Sequence, residues 1–233
     1  MYVLDVSITN AGYQDSRDAV RNIRFHVGAG ELVGLIGANG AGKSTTIKAI
    51  LDMLPVMDGE VRFPSSKRRY AYIPEQPSFY EELTLWEHIE FAAAVCNMNR
   101  SVWKSRASVL LNDFKMEHVI HHLPASFSKG MQQKLMIIVA LLTEPDVYIV
   151  DEPFIGLDPR ATKQFLHYIQ KEKARGAGIL MSTHVLDTAE KYCDSFALID
   201  DGEMIVNGTL DHIRKYTELP GAALMDCFDK LLG

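Results

Sequence analysis

The chain has 233 residues, enough for one large domain or two small ones. Its 24 Lys and Arg against 30 Asp and Glu leave a formal net charge of −6, which argues against an extended nucleic-acid surface. The 47% hydrophobic and 23% charged shares exclude intrinsic disorder and a disulfide scaffold. The three cysteines, Cys96, Cys193 and Cys227, are odd in number and form no CxxC, as suits free thiols in a reducing cytosol. The longest apolar run, Leu135 to Leu142, is too short to cross a bilayer, and Met1 to Asp5 offers neither a basic n-region nor an apolar h-region. These features predict a cytoplasmic chain that is not itself a membrane channel.

In chain order, Val3 to Ile8 and Ile23 to Val27 read as a small antiparallel sheet. Leu32 to Ile36 reads as a buried strand, followed by a helix from Ser44 to Leu54 that stops before Pro55. From about Phe79 to Leu142 no strand is convincing. Thr84 and Glu87 have capping-box spacing ahead of the apolar-rich stretch Ile89 to Cys96, and Leu110, Leu111 and Phe114 continue a helical pattern. Val147 to Val150, Gly178 to Ser182 and Phe196 to Ile199 are short continuous apolar runs of the kind a sheet covered on both faces requires. Pro159 to Arg175 reads as a helix closed by Gly176. Strands alternating with helices imply an α/β fold with a mainly parallel sheet. The expected layout is a single domain over 1–233. Its β part and core come from 1–78 and 143–208 and a helical insertion from 79–142; the last thirty residues, from about Gly202, suggest a short hairpin and two terminal helices, the helical tail being 209–233.

Gly37-Ala38-Asn39-Gly40-Ala41-Gly42-Lys43-Ser44 fits G-x-x-x-x-G-K-[ST], between a predicted strand and a predicted helix. Glycines let backbone N–H groups turn toward phosphate oxygens, and the helix N-terminus adds partial positive charge. Lys43 is placed to reach β- and γ-phosphates, and the Ser44 hydroxyl to ligate Mg²⁺; Thr45 continues the segment. The competing reading is a chance glycine-rich turn, which the flanking strand and helix disfavour.

Val147 to Val150 runs into Asp151-Glu152. In open α/β sheets ligands sit at the carboxyl ends of strands. Asp151 is then placed to hold Mg²⁺, and Glu152 to accept a proton from an attacking water. The alternative, that Asp-Glu-Pro merely punctuates a strand, loses weight because a phosphate loop lies upstream.

Phe127-Ser128-Lys129-Gly130-Met131 precedes a strongly apolar helix, Gly156-Leu157-Asp158 follows the acidic pair, and Ser182-Thr183-His184 ends a later strand. Together with the phosphate loop, this ordered set resembles the nucleotide-binding subunits of ABC transporters over essentially the whole chain. Residues 127–134, 151–158 and 189–194, with Ile73 to Pro77 and Tyr80 to Thr84, look most like EcsA-type ATPases of Gram-positive bacteria. The resemblance implies a P-loop NTPase core, a mainly parallel sheet with helices on both faces. It also implies an N-terminal antiparallel β subdomain and an inserted α-helical subdomain.

The resemblance further implies two subunits packed head to tail around two ATP molecules, as a homodimer or with a paralogous ATPase. Ser128 and Gly130 would face the γ-phosphate bound by the opposite subunit, although an ordinary Ser N-cap fits the same position. His184 would contact the γ-phosphate and help place the attacking water. Asp158 would line the dimer interface; a turn residue before Pro159 is the competing reading. Tyr13 would stack on adenine, against the alternative of a turn Tyr after Ala11-Gly12. The partner implied is an integral membrane permease subunit, docking near Glu75 to Glu82 at the inner face of the membrane, with no nucleic acid expected.

Two departures from the family pattern stand out. Lys129 and Met131 replace a Gly and the Gln of the usual Leu-Ser-Gly-Gly-Gln, whereas Ser128 and Gly130 are kept. In the loop joining core to helical part, aligning on Pro74 puts Glu75 where the family has Gln, with Gln76 one residue later. Glu75 could ligate Mg²⁺ or orient water, and Gln76 is held in reserve. Two other readings are a soluble ABC ATPase acting on nucleic acid or ribosomes, and a non-hydrolysing ATP-gated scaffold. The length and acidity oppose the first, and Glu152 and His184 the second.

Overall fold

A computed structural model describes residues 1–64 and 69–232; residues 65–68 and Gly233, within the expected 1–78 and 209–233 segments, lie outside them. The chain opens with a long hairpin, β1 (Tyr2–Tyr13) and β2 (Ser16–Gly28). Strand β3 (Leu32–Ile36) then leads into helix α1 (Lys43–Ile50), followed by β4 (Val56–Arg62) and β5 (Tyr70–Ile73). Three helices come next, α2 (Leu85–Val95), α3 (Arg100–Phe114) and α4 (Lys129–Leu142), with no strand among them. The chain returns to the sheet through β6 (Val147–Asp151), α5 (Pro159–Arg175), β7 (Gly178–Thr183) and α6 (Leu186–Tyr192). It ends with the hairpin β8 (Ser195–Asp200) and β9 (Glu203–Gly208), then α7 (Leu210–Tyr216) and α8 (Leu224–Leu232).

Among the described residues the strands form one nine-stranded sheet in the order β4-β1-β2-β9-β8-β3-β7-β6-β5. Strands β5, β6, β7, β3 and β8 are parallel, whereas β1 runs antiparallel to both of its neighbours, β4 and β2. The N-terminal antiparallel part is continuous with the parallel part, joined by β2 to β9 through the pairing of Arg21 with Glu203. The apolar runs in the central strands follow from burial on both faces. Along β6, Tyr148 and Val150 pack with residues of α2 to α5, while Val147 and Ile149 pack with Ile47 of α1 and the inner residues of β1 and β2.

Local chemistry sets the helix ends. Thr84 and Glu87 form the expected capping box at α2. The Asp158 carboxylate caps α5 by accepting from Ala161 N, Pro159 occupies its first turn, and Gly176 closes it in the left-handed conformation. Helix α1 is shorter than the Ser44 to Leu54 expected: the chain leaves it at Leu51, and Asp52 adopts a left-handed φ of 58° before Pro55 is reached. Two strands escaped the sequence pattern. β4 is a mostly exposed edge strand whose apolar pattern is broken by Asp58-Gly59-Glu60, and β5 has four residues on the other edge.

Candidate active site

The parallel strands deliver their carboxyl ends to one place. β3 ends at Ile36 and the loop 37–42 leads into α1. Gly42 caps that helix with a φ of 104°, a conformation that disfavours any residue with a Cβ. Neighbouring strand ends carry Asp151-Glu152 from β6 and Thr183-His184 from β7, with Asp151 paired opposite Ser182. Between them lies a cavity of about 330 Å³ whose lining includes Asn39, Gly40, Lys43, Glu75, Glu152 and His184. Gly42, Ser44, Thr45 and Ile155 complete the wall.

Lys43 is buried. Its Nζ donates to Gly37 O at 2.9 Å and Ala38 O at 3.1 Å, and stands 3.4 Å from Glu152 Oε1. Ala41 donates its N–H back to Ala38 O and accepts from Gly202 N, so the loop is braced from within and from the β8–β9 turn. Asp151 Oδ1 accepts from Ser44 Oγ at 3.2 Å and from Ser182 Oγ at 2.5 Å. Ser182 Oγ in turn accepts from Glu152 N at 3.0 Å. Glu152 has a φ of 44°, a left-handed conformation that costs a side-chain-bearing residue roughly 1–2 kcal/mol. Its Oε2 accepts from His184 Nδ1 at 2.9 Å, and its buried Oε1 has no hydrogen-bond partner. Because an ionised carboxylate only accepts, that bond requires a hydrogen on His184 Nδ1.

Glu75 lines the cavity and Gln76 does not. Burial first, then the charges of Asp151 and Glu75, push the Tyr72 phenol well above its ordinary pKa. The end of β5 therefore faces the same acidic centre.

Tyr13 lies at the end of the β1–β2 hairpin, 40% exposed, with its hydroxyl accepting from Lys48 Nζ at 3.2 Å. Lys48 also sits 5.7 Å from the ring centroid, so the ring is fixed beside α1. Ser128, Gly130 and Asp158 are outside the cavity and form a second cluster. Ser128 is exposed and caps α4 by accepting from Met131 N. Gly130 is pressed against the 154–158 loop: a Cβ there would lie 2.4 Å from Gly156 O. Asp158 Oδ2 accepts from Lys134 Nζ at 3.3 Å. The Ala161 N–H, more than Lys134, holds the Asp158 carboxyl below its usual range. Sequence reasoning missed Ser182 as the brace of Asp151 and Glu152, although the Ser-Thr-His run was noted. It also missed Gln133, whose contact with Pro74 has no sequence signature.

The cavity suits a polyphosphate: a glycine-containing loop, a helix N-terminus and a buried ammonium share one wall. Ser44 Oγ and Asp151 Oδ1 form a hard oxygen pair of the sort Mg²⁺ accepts when phosphates and waters fill its remaining positions.

The family described as ABC transporter matches residues 20–155, more than half of the chain. The chain is an ABC transporter ATP-binding subunit. It is 52% identical over 228 residues to the uncharacterized ABC transporter ATP-binding protein YthP of Bacillus subtilis, covering 98% of this chain and 96% of that one. It is 42% identical to the ABC-type transporter ATP-binding protein EcsA of the same organism, covering 99% and 97%. A solved ATP-binding subunit of an ABC transporter superposes with a TM-score of 0.94 at 43% identity, over 99% of this chain and 100% of that one. This ABC subunit therefore binds ATP and belongs to a family of ATPases. No helix among the described residues is long and apolar enough to cross a membrane. ABC subunits of this kind partner with membrane permease components.

Proposed function

We propose that this subunit hydrolyses ATP in the 330 Å³ cavity and, as an ATP-closed dimer on the cytoplasmic face of the membrane, drives a separate permease subunit. The observation that carries the reading is the convergence of Lys43, Ser44, Asp151, Glu152 and His184 on one pocket.

The residues divide the work. Loop N–H groups from Gly37 to Thr45 and the Lys43 ammonium bind the β- and γ-phosphates and stabilise charge that develops during transfer. Ser44 and Asp151 hold Mg²⁺, with Glu75 lending a further carboxylate; when bound, the ion neutralises phosphate charge. Glu152 takes the proton of the attacking water through Oε1, which has no hydrogen-bond partner and faces the Lys43 ammonium. His184, oriented through Nδ1, presents Nε2 for the γ-phosphate and the water. Tyr13 stacks on adenine. Ser128 and Gly130 of one subunit close on the γ-phosphate of the other, with Asp158 at that interface. The functional division follows the sequence expectation: a core from 1–78 and 143–208, a helical subdomain over 79–142 that meets the permease near Glu75 to Glu82, and a tail from 209. The partner in the dimer is a second copy or a paralogue, and no nucleic acid takes part.

The decisive experiment tags the chain in its native host, solubilises membranes in mild detergent and identifies what co-purifies. An integral membrane protein in stoichiometric amount is expected. Ribosomal proteins or nucleic acid in its place would overturn the transport reading in favour of a soluble ABC ATPase.

A further inference from the structure

Gln133 lies in α4 with 1% of its surface exposed. Its Nε2 donates to Pro74 O at 3.3 Å, and its Oε1, also buried, has no partner. A buried amide with an unmet acceptor is a poor choice for stability, because an apolar side chain of the same length would fill the space without that cost. The amide does, however, anchor the carbonyl that precedes Glu75. Pro74 C=O and Glu75 N–H share one rigid peptide plane, and the proline ring fixes φ at 74. The rotation left free before Glu75 is ψ of Pro74, and the hydrogen bond from Gln133 restrains it.

The same two turns of α4 touch the other loop beside the cavity. Gly130 packs against Gly156 O, and Lys134 Nζ donates to Asp158 Oδ2. Residues 130, 133 and 134 are i, i+3 and i+4, so they share one face of the helix. The helix capped by Ser128 is thereby tied to the loop carrying Glu75 and to the loop following Glu152.

We infer that Gln133 is a positioning residue for hydrolysis: its bond to the Pro74 carbonyl sets where the Glu75 carboxylate stands and links the helix carrying Ser128 to the subunit's own ATP cavity. The inference rests on the reading of Glu75 as the functional residue of this loop.

The test is a double-mutant cycle between Gln133→Met and Glu75→Ala, in the full chain with any membrane partner that co-purifies. Gln133→Met keeps length and burial but removes the amide. Its melting temperature should equal or exceed that of the wild type, and its metal-free ATP affinity should stay within about twofold. Its kcat at saturating Mg-ATP should fall roughly tenfold, the worth of one positioned hydrogen bond. In the Glu75→Ala background the same change should alter kcat by less than about twofold, since the residue it acts through is gone. Unchanged kcat in the single variant overturns the inference, as does a fall that simply multiplies with that of Glu75→Ala. A fall in kcat accompanied by matching losses of stability and ATP affinity also overturns it. Wild-type turnover by Glu75→Ala would sink the reading of Glu75 itself, an outcome distinct from an important Glu75 with an independent Gln133. If Gln133→Met does not fold, Gln133→Asn, whose amide falls one methylene short of Pro74 O, takes its place in the same cycle.

Discussion

Lys43 Nζ stands 3.4 Å from Glu152 Oε1, with both side chains buried, while the same ammonium donates to two carbonyls of its own loop. The cation assigned to the phosphates is thus also the counter-ion of the carboxylate assigned as base. A triphosphate entering the cavity would compete with Glu152 and with the loop carbonyls for Lys43. If Lys43 shifts toward phosphate, Glu152 Oε1 would be freed for the water it is to activate, while Oε2 keeps its bond to His184.

Removing Lys43 should therefore do two separable things. Lys43→Ala should weaken ATP binding at least about tenfold, through loss of a charge-assisted contact. It should also cost roughly 1–3 kcal/mol of stability, because the Glu152 carboxylate is left buried without its cation. Adding Glu152→Gln removes the stranded charge and should restore the melting temperature without restoring affinity. Calorimetry and thermal denaturation of the single and double variants read both effects. Wild-type ATP affinity in Lys43→Ala would sink the phosphate-loop assignment.

Glu75 and Gln76 are adjacent and both exposed, yet only Glu75 lines the cavity. Glu75→Ala should lower Mg²⁺-dependent turnover several-fold more than Gln76→Ala. Metal-free nucleotide binding should barely change in either. A titration of ATPase rate against Mg²⁺ concentration separates the two, and a larger loss in Gln76→Ala would shift the functional register by one residue.

Much of this was legible in the sequence because its determinants are local. The phosphate loop reads as a motif between β3 and α1, the capping box at Thr84 fixes the start of α2, and Asp158 with Pro159 fixes that of α5. Other features depend on contacts between distant segments. β4 is a strand because β1 offers it a partner, not because Asp58-Gly59-Glu60 favours extension. Ser182 meets Asp151 only because β6 and β7 are neighbours in register. Gly130 reads in sequence as a phosphate contact, yet the 2.4 Å approach to Gly156 O requires glycine there on packing grounds alone. Lys43 has the look of a loop side chain and is instead one half of a buried pair.

Tyr13 separates stacking from a structural role by the choice of substitution. Its hydroxyl accepts from Lys48 and its ring lies beside α1, directly after the phosphate loop. If the ring stacks on adenine, Tyr13→Phe should keep ATP affinity within about twofold, whereas Tyr13→Ala should lose roughly 1–3 kcal/mol of binding, the worth of one base stacked on an aromatic side chain. Inorganic triphosphate, which has no base, should bind all three proteins alike. An equal loss of triphosphate binding in Tyr13→Ala would show that the ring merely supports α1.

The last prediction concerns closure of two subunits. Ser128 is exposed at the start of α4, outside the cavity that holds Lys43, so one chain alone cannot surround a γ-phosphate with both. A second subunit placed head to tail would bring its helix N-terminus to the open side, where the dipole and the Ser128 hydroxyl would favour an anion. ATP would then form part of the interface, and hydrolysis would remove it. Glu152→Gln keeps the shape of the base but cannot take a proton, so turnover should fall by about two to four orders of magnitude. The same change lightens the competition for Lys43 and removes negative charge beside the phosphates, so ATP should bind at least as tightly as to the wild type. With Mg-ATP, light scattering should find Glu152→Gln accumulating as a dimer, on its own or with the co-purified membrane partner. Adding Ser128→Arg puts bulk at the interface and leaves the phosphate loop intact, so ATP should still bind while the dimer is lost. A dimer that survives Ser128→Arg would remove the opposing helix from the site. A Glu152→Gln protein that stays monomeric both alone and with its partner would overturn head-to-tail closure.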